Sequence, residues 1–232
     1  MNKDELGKIY LNPTIVRIWH WINALGIVTL CLTGVQIRFP DHAPVFGAYK
    51  NAIMLHDTAG IVVSIMYVIW LGYYAFVARS LRRLYIPTMN DVKQGFLRQG
   101  RYYLIDFFKG GPNPHVSTPD RKFNPLQKSA YMMFMLVLMP LVIISGLLLM
   151  NIMPLRRWIL MVGGLPFLVA AHFLIACCFT AFLCAHIYLA TMGHTFLAHF
   201  KAMWTGWEEA HGEHKPEASA AYVSNTSRQR AS

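Results

Sequence analysis

Charged side chains are scarce in this chain, and acidic ones are the scarcest. Only 14% of the 232 residues are charged while 55% are hydrophobic, and 11 acidic residues stand against 21 Lys and Arg. The hydrophobic residues form four runs, each long enough to cross about 30 Å of hydrocarbon as a helix. A soluble domain does not contain four such runs. The composition therefore excludes a soluble globular protein and predicts an integral helical membrane protein.

Cysteine is also rare, and no motif accompanies it. The four cysteines all lie within hydrophobic runs: Cys31, Cys177, Cys178 and Cys184. They neither bracket loops nor have zinc-site spacing, so we expect them to pack as small apolar side chains. The sequence also lacks a Cys-x-x-Cys-His motif and any nucleic-acid-binding motif. Its net charge of +10 therefore indicates membrane topology and attraction to anionic lipid headgroups, with no nucleic acid as a partner.

The four runs predict four membrane-spanning helices in one membrane domain. They cover residues 14–37, 53–77, 130–153 and 165–191. All but four of the 21 Lys and Arg residues lie in the N-terminal arm through Arg17, the 78–129 segment or the C-terminal tail. Because basic residues are enriched in cytoplasmic loops, both termini and the long loop are predicted to be cytoplasmic. We expect an all-α four-transmembrane-helix bundle over residues 1–209 and a flexible cytoplasmic tail over residues 210–232.

Two segments outside these runs predict helices that lie along the membrane surface. Residues 91–108, in the long inner loop, mix polar and aromatic side chains and precede the helix-stopping sequence Gly110-Gly111-Pro112. Residues 196–207, after the fourth run, alternate apolar and basic side chains, with Trp at the expected headgroup depth. Docking of a cytoplasmic partner is the alternative interpretation of the first segment.

The fourth run contains two histidines fourteen residues apart, His172 and His186. On a helix they lie about 21 Å apart along the axis and within about 40° of the same face, one near each membrane surface. The predicted topology places His20 at the cytoplasmic depth of His186, and His56 at the outer depth of His172. A polar ring at membrane depth is costly unless it is paired, so we expect two functional pairs.

Two axial imidazoles in a hydrophobic slot suit a haem iron, and the missing attachment motif indicates b-type haems. Bis-histidine coordination leaves no open position for a substrate, which favours electron transfer. Three alternatives stay open: histidines that only hydrogen-bond a neighbouring helix, a transporter or proton or metal relay that uses intramembrane histidines, and a structural anchor without cofactor. A transporter is expected to have ionisable residues along a path at mid-depth, but the four runs contain one carboxylate, Asp57.

Four segments carry a family resemblance. They are Arg17-Ile18-Trp19-His20-Trp21-Ile22-Asn23-Ala24 with Leu32-Thr33-Gly34, then Leu55-His56-Asp57-Thr58-Ala59-Gly60, then Phe123-Asn124-Pro125-Leu126-Gln127-Lys128-Ser129-Ala130-Tyr131, and finally His172 and His186 with Ile187-Tyr188. In this order they resemble the first helix, the second-helix ligand region, the start of the third helix and the fourth helix of bacterial membrane cytochrome b subunits. That family serves respiratory formate dehydrogenases, thiosulfate reductases and nickel–iron hydrogenases. The resemblance covers residue 15 to about residue 209.

The resemblance implies an electron-transfer subunit of an oxidoreductase complex, rather than a complete enzyme, in the bacterial cytoplasmic membrane. It implies two haem b groups, with His56 and His172 holding the outer one and His20 and His186 the inner one. Such a subunit relays electrons between an extracytoplasmic iron–sulfur or catalytic subunit and a quinone, menaquinone or ubiquinone, near the cytoplasmic face. The implied partner is a formate dehydrogenase, a thiosulfate-type reductase or a hydrogenase.

The resemblance also points to a quinone site at the start of the third helix. Asn124 matches a position that borders the quinone in the formate dehydrogenase branch, and Gln127 lies nearby as a further polar contributor. Leu126 stands where that branch has glycine, which favours the thiosulfate reductase branch. Ordinary anchoring at the membrane interface is the alternative role for Gln127.

Overall fold

A computed structural model describes residues 8–10, 12–112, 114–115, 123–191 and 197–209. The α-helices are α1 (Thr14–Arg38), α2 (Tyr49–Gly72), α3 (Leu81–Tyr85), α4 (Phe96–Arg101), α5 (Pro125–Tyr131), α6 (Met139–Met150), α7 (Arg156–Met161), α8 (Gly164–Thr191) and α9 (Ala198–Thr205). π-helical turns extend α2 over Tyr73–Val77, flank α4 over Asp91–Gly95 and Tyr102–Asp106, and join α5 to α6 over Met132–Leu138. The chain divides into a helical unit over residues 15–189 and a terminal unit formed by its two ends.

Four helices are long and apolar enough to cross a membrane, which confirms the predicted all-α membrane class. We call them spans one to four: Thr14–Arg38, Tyr49–Val77, Pro125–Met150 and Gly164–Thr191. Large aliphatic side chains such as Leu25 and Leu174 are 72% and 66% exposed on these helices. Such exposure is typical of helices whose outer faces meet lipid rather than water.

Span three begins five residues before the point that hydropathy predicts. The Asn124 side chain accepts a hydrogen bond from the Gln127 main-chain N–H at 2.8 Å, and the Gln127 side chain accepts one from the Asn124 N–H at 3.1 Å. This capping box, with Pro125 at the first helical position, starts the helix in a polar turn. The helix ends at Met150 because Asn151 has left the helical conformation, so the predicted end at residue 153 is three residues too late.

Spans one and two pack at close range around a glycine. A Cβ atom on Gly26 would lie 2.5 Å from Cγ2 of Val63, closer than two carbons can approach. Near the same contact, the Trp19 indole N–H donates to the Met66 carbonyl at 2.8 Å. The missing side chain at residue 26 therefore allows the two backbones to approach, as small residues commonly do between membrane helices.

An aromatic cluster joins spans two and three beyond this contact. Trp70 packs against Tyr74 and Tyr85, with ring centroids 5.5 and 5.0 Å apart. Tyr85 on α3 also contacts Tyr131 of span three, at a centroid distance of 6.2 Å. Edge-on and tilted contacts of this kind add stabilisation beyond the buried area. The short helix α3 is thereby packed between the ends of two spans.

The first predicted surface segment is helical, as expected. Helical turns run from Asp91–Gly95 through α4 to a 3-10 turn at Phe107–Lys109. The helix stops at Gly110, which has a φ of 72°, a conformation that glycine adopts without strain. Along it, Leu97 and Leu104 are 73% and 78% exposed. An exposed apolar face beside basic residues is typical of a helix at a lipid surface.

The terminal unit differs from the prediction. The helix expected over residues 196–207 ends at Thr205, because Gly206 has a φ of 93° and Trp207–Glu209 forms a strand that pairs antiparallel with Lys8–Tyr10. A Cβ on Gly206 would lie 2.6 Å from the Tyr10 ring, so this pairing also requires glycine. The expected start of that helix at residue 196 and the expected tail over residues 210–232 lie outside the described residues.

The close contact at Gly26 generates a stability prediction. Gly26→Ala places a methyl group against Val63, and overpacking of this kind costs about 1–3 kcal/mol. Thermal unfolding in detergent should show the loss. The matched control is Gly72→Ala, since an added Cβ there meets nothing within 4 Å.

The double variant Gly26→Ala with Val63→Ala removes the clashing methyl and should recover part of the stability that the single variant loses. Equal unfolding temperatures for Gly26→Ala and Gly72→Ala would contradict the packing described here.

Candidate functional site

The structure brings His56 of span two and His172 of span four together. Their ring centroids lie 6.3 Å apart, with an angle of 68° between the ring planes. Both side chains are half-buried within the bundle. The two rings therefore face one another across the bundle with a gap between them, instead of forming a direct hydrogen bond.

A buried hydroxyl contacts the Nδ1 atom of each of these histidines. Thr33 Oγ1 lies 2.9 Å from His56 Nδ1, and Ser145 Oγ lies 2.8 Å from His172 Nδ1. Each hydroxyl donates its own proton to a main-chain carbonyl of its helix, Thr33 to Thr29 at 2.7 Å and Ser145 to Val142 at 3.1 Å. A hydroxyl that donates elsewhere accepts from the imidazole, so Nδ1 carries the proton. The Nε2 lone pair is then available as a metal ligand.

Glycines leave room beside the same two rings. A Cβ on Gly34 would lie 3.6 Å from Cε1 of His56, and one on Gly146 would lie 3.3 Å from Cε1 of His172. Each glycine follows directly after the hydroxyl residue that contacts its histidine. Span one thus places a hydroxyl and the adjacent glycine beside the histidine ring of span two. Span three does the same for the histidine ring of span four.

The second predicted pair, His20 of span one and His186 of span four, is also brought together. The ring centroids are 6.3 Å apart, with 53° between the planes. Phe182 lies one helical turn before His186, and the two rings stack at 6.0 Å and 25°. Phe182 stacks in turn on Phe134 of span three at 4.0 Å. Span three therefore supports this pair through aromatic contacts.

The separation within both pairs suits two ligands on opposite sides of one metal. A nitrogen ligand lies about 2 Å from a first-row metal. The ring centre lies about 1 Å behind the nitrogen, so two imidazoles that would hold one metal between them would have centroids about 6 Å apart. Within the part of the chain that the structure describes, His, Cys, Asp and Glu form no group of three or more that could hold a bare metal ion. A pair of ligands suits a metal whose other four ligands come from a macrocycle.

The predicted quinone residues lie at the start of span three in a polar cluster. Asn124, which is 3% exposed, donates from Nδ2 to the Tyr103 hydroxyl at 3.2 Å, while its Oδ1 caps the helix with Gln127. Lys128 lies 3.5 Å from a carboxylate oxygen of Asp91, and both side chains are 15% exposed. The structure therefore gives Asn124 and Gln127 a capping role in addition to any role in binding.

The Asp91 carboxylate in this cluster is held in its ionised form. Burial alone would raise the pKa of Asp91, but hydrogen bonds from Thr88 and the nearby Lys128 ammonium outweigh it and lower the pKa below its usual range. Thr88 donates its main-chain N–H to Asp91 at 2.9 Å. The same end of the bundle contains Tyr103, whose pKa is raised by burial despite hydrogen bonds from Gln99 and Asn124. This polar cluster thus combines a phenol that stays neutral with a carboxylate that stays charged.

The hydroxyl partners Thr33 and Ser145 were not predicted as site residues from the sequence. Hydropathy and helix periodicity do not determine how one helix is rotated about its axis relative to another. They therefore do not identify which hydroxyl contacts which ring. One signal was present: a hydroxyl residue directly followed by glycine occurs in span one as Thr33-Gly34 and in span three as Ser145-Gly146.

Comparison with known proteins identifies the family to which the chain belongs. The profile of the family described as prokaryotic cytochrome b561 matches residues 12–206. A protein of Escherichia coli (strain K12) that is named as a cytochrome, YdhU, is 32% identical over 88% of this chain and 76% of its own length.

Two other relatives are named for enzyme complexes. A protein of Rhodobacter capsulatus named as a Ni/Fe-hydrogenase B-type cytochrome subunit is 28% identical over 60% of this chain. A protein of Haemophilus influenzae (strain ATCC 51907 / DSM 11121 / KW20 / Rd) named as a formate dehydrogenase cytochrome b556 subunit is 28% identical over 62%. The matches span about half the length of these two relatives, 53% and 56%. The profile match covers nearly the whole chain and includes all four spans. We therefore conclude that the chain belongs to the prokaryotic cytochrome b561 family, a family of bacterial membrane proteins that bind haem b.

Proposed function

We propose that this protein is the membrane-anchoring di-haem cytochrome b subunit of a respiratory oxidoreductase complex. In this role it relays electrons between an extracytoplasmic catalytic or iron–sulfur subunit and the quinone pool near the cytoplasmic face of the bacterial inner membrane. The observation that carries the proposal is the presence of two imidazole pairs, each with centroids 6.3 Å apart, at two levels of one bundle.

Each histidine pair would hold one of the two cofactors. His172 and His186 are fourteen residues apart on one helix, which separates the two sites by about 21 Å along the bundle. His56 and His20 supply the opposite ligands from spans two and one. Haem b, when bound, supplies reversible one-electron chemistry. Each iron would be held by two imidazoles of the protein, and the chemistry supplied there would be electron transfer.

The protein also supplies an apolar enclosure for the pairs. Gly34 and Gly146 keep the edges of the His56 and His172 rings open, while Phe182 and Phe134 line the other site with aromatic carbon. In such an apolar enclosure, interactions between charges and fixed dipoles are stronger than in water, and little solvent has to reorganise when a charge is gained or lost. These features suit rapid one-electron exchange between fixed positions.

The distribution of basic residues supports the orientation of the protein in the membrane, and the names of its relatives support the class of partner. The Lys and Arg excess in the 78–129 segment and at the termini supports a cytoplasmic location for those parts. The His56–His172 pair then faces the outer side, near the connection between spans one and two. Relatives named as hydrogenase and formate dehydrogenase subunits support a catalytic complex of that class, or a thiosulfate-type reductase, as the partner on this side.

The quinone site is proposed at the polar cluster where span three starts. Asn124 and Gln127 offer amide groups, and Tyr103 and the Asp91–Lys128 pair lie in the same cluster. Hydrogen-bond donors beside an apolar surface suit a quinone, which has two carbonyl oxygens on an apolar ring. The ligand is menaquinone or ubiquinone, and membrane lipid surrounds the site. The transporter alternative gains no support, because the four spans contain a single carboxylate, Asp57.

Substitution of the ligand histidines tests the cofactor assignment. His56→Ala and His172→Ala should each lower the haem content of the purified protein from two to one per chain and remove the same component from a redox titration. His20→Ala and His186→Ala should remove the other component. Haem is measured by pyridine haemochrome absorbance against protein concentration. The control is His42→Ala, an exposed histidine in the connection after span one.

Loss of different components on substitution of His56 and His172 would overturn the pairing. Unchanged haem content in all four variants would overturn the assignment of these residues as ligands.

A second experiment separates the capping role of Asn124 from contact with a quinone. Asn124→Ala should lose about 1 kcal/mol of stability through the missing cap, whereas Asn124→Ser keeps a capping oxygen. If the amide binds a quinone carbonyl, Asn124→Ser should slow oxidation of the dithionite-reduced haems by a short-chain quinone about fivefold, since one hydrogen bond contributes about 1 kcal/mol. Stopped-flow absorbance measures the rate. Wild-type rates in Asn124→Ser would restrict Asn124 to its structural role.

A further inference from the structure

We infer that the hydroxyls of Thr33 and Ser145 are positioning residues that set the redox potential of the cofactor held by His56 and His172. This inference rests on the proposed function, because it concerns the electronic properties of ligands to a haem. It goes beyond that function by assigning a role to two side chains that do not themselves contact the cofactor iron.

The hydrogen bonds at both hydroxyls have a defined direction. Thr33 donates to the Thr29 carbonyl at 2.7 Å, and Ser145 donates to the Val142 carbonyl at 3.1 Å. Both oxygens therefore accept from Nδ1–H of their histidines, at 2.9 and 2.8 Å. An imidazole that donates from Nδ1 is a better electron donor at Nε2.

Burial of the two hydroxyls keeps these hydrogen bonds in place. Thr33 is 0% exposed and Ser145 is 6% exposed. Both hydroxyls are thus largely shielded from solvent, and in an apolar interior a hydrogen bond to a fixed partner is stronger than in water. The two hydroxyls come from spans one and three, so the ring of each ligand is oriented by a helix other than its own.

Main-chain carbonyls beside the rings also contribute. The main-chain carbonyls of Leu30 and Val142 also accept hydrogen bonds from His56 and His172, respectively. Each ring thus has a main-chain acceptor in addition to its hydroxyl partner. Removing the hydroxyl leaves the tautomer and the ligand in place but weakens the donation that enriches Nε2 with electrons. The cofactor stays bound, and its potential changes.

The sign of the change follows from the ligand strength. A strongly donating imidazole stabilises the oxidised, more positive iron and lowers the midpoint potential. Thr33→Val and Ser145→Ala weaken the ligand, so each should raise the midpoint potential of one haem. We expect a several-fold shift of the oxidised-to-reduced ratio at a fixed potential, where tenfold corresponds to about 59 mV for one electron.

The experiment is a spectroelectrochemical titration of the purified full-length protein with both haems present. Thr33→Val and Ser145→Ala are compared with wild type and with two further variants. Thr33→Ser restores the hydroxyl and should return the potential to the wild-type value. Thr58→Val is the matched control: it lies two residues from His56, but its hydroxyl donates to the Met54 carbonyl of its own helix at 2.7 Å.

An upward shift of the same single component in Thr33→Val and Ser145→Ala, absent in Thr58→Val and reversed in Thr33→Ser, supports the inference. Two haems with wild-type potentials in both variants overturn it and leave the proposed function intact. Should Thr33→Val lose its cofactor, Ser145→Ala, which only removes an oxygen, decides the matter alone. Wild-type protein without two b haems would overturn the inference and the proposed function together.

Discussion

The cost of placing an imidazole ring in hydrocarbon governs this structure. A polar ring at membrane depth needs partners for both of its nitrogens, and a lipid-facing helix surface offers none. At one level of the bundle the partners come from every span. Thr33, His56, Ser145 and His172 belong to spans one, two, three and four, and they form two hydroxyl–imidazole contacts on either side of a central gap.

Helix packing keeps these contacts in register. The close approach at Gly26 and Val63 fixes span one against span two between the levels of the two histidine pairs. The aromatic cluster around Trp70 fixes span two against the start of span three. A rotation or slip of one span would separate a hydroxyl from its ring and both rings from each other. The packing glycine therefore contributes to the candidate site without touching it.

Much of this organisation could be predicted from the sequence, because it depends on composition and helix geometry. Hydropathy identified the four spans, and the fourteen-residue spacing with the charge-based topology identified which histidines meet. Hydropathy did not find the start of span three, since Asn124 and Gln127 form a polar first turn. The strand at Trp207–Glu209 was also missed, because its pairing with Lys8–Tyr10 joins distant parts of the chain. The hydroxyl partners needed relative helix rotation, which a single sequence does not contain.

The proposed function requires that four histidines hold two b-type haems in one chain. Low-temperature electron paramagnetic resonance of the oxidised wild-type protein, calibrated against haem and protein concentration, tests it most directly. We expect two low-spin signals of bis-imidazole haem, each integrating to one spin per chain. A single such signal, or high-spin iron with an open coordination position, would contradict it.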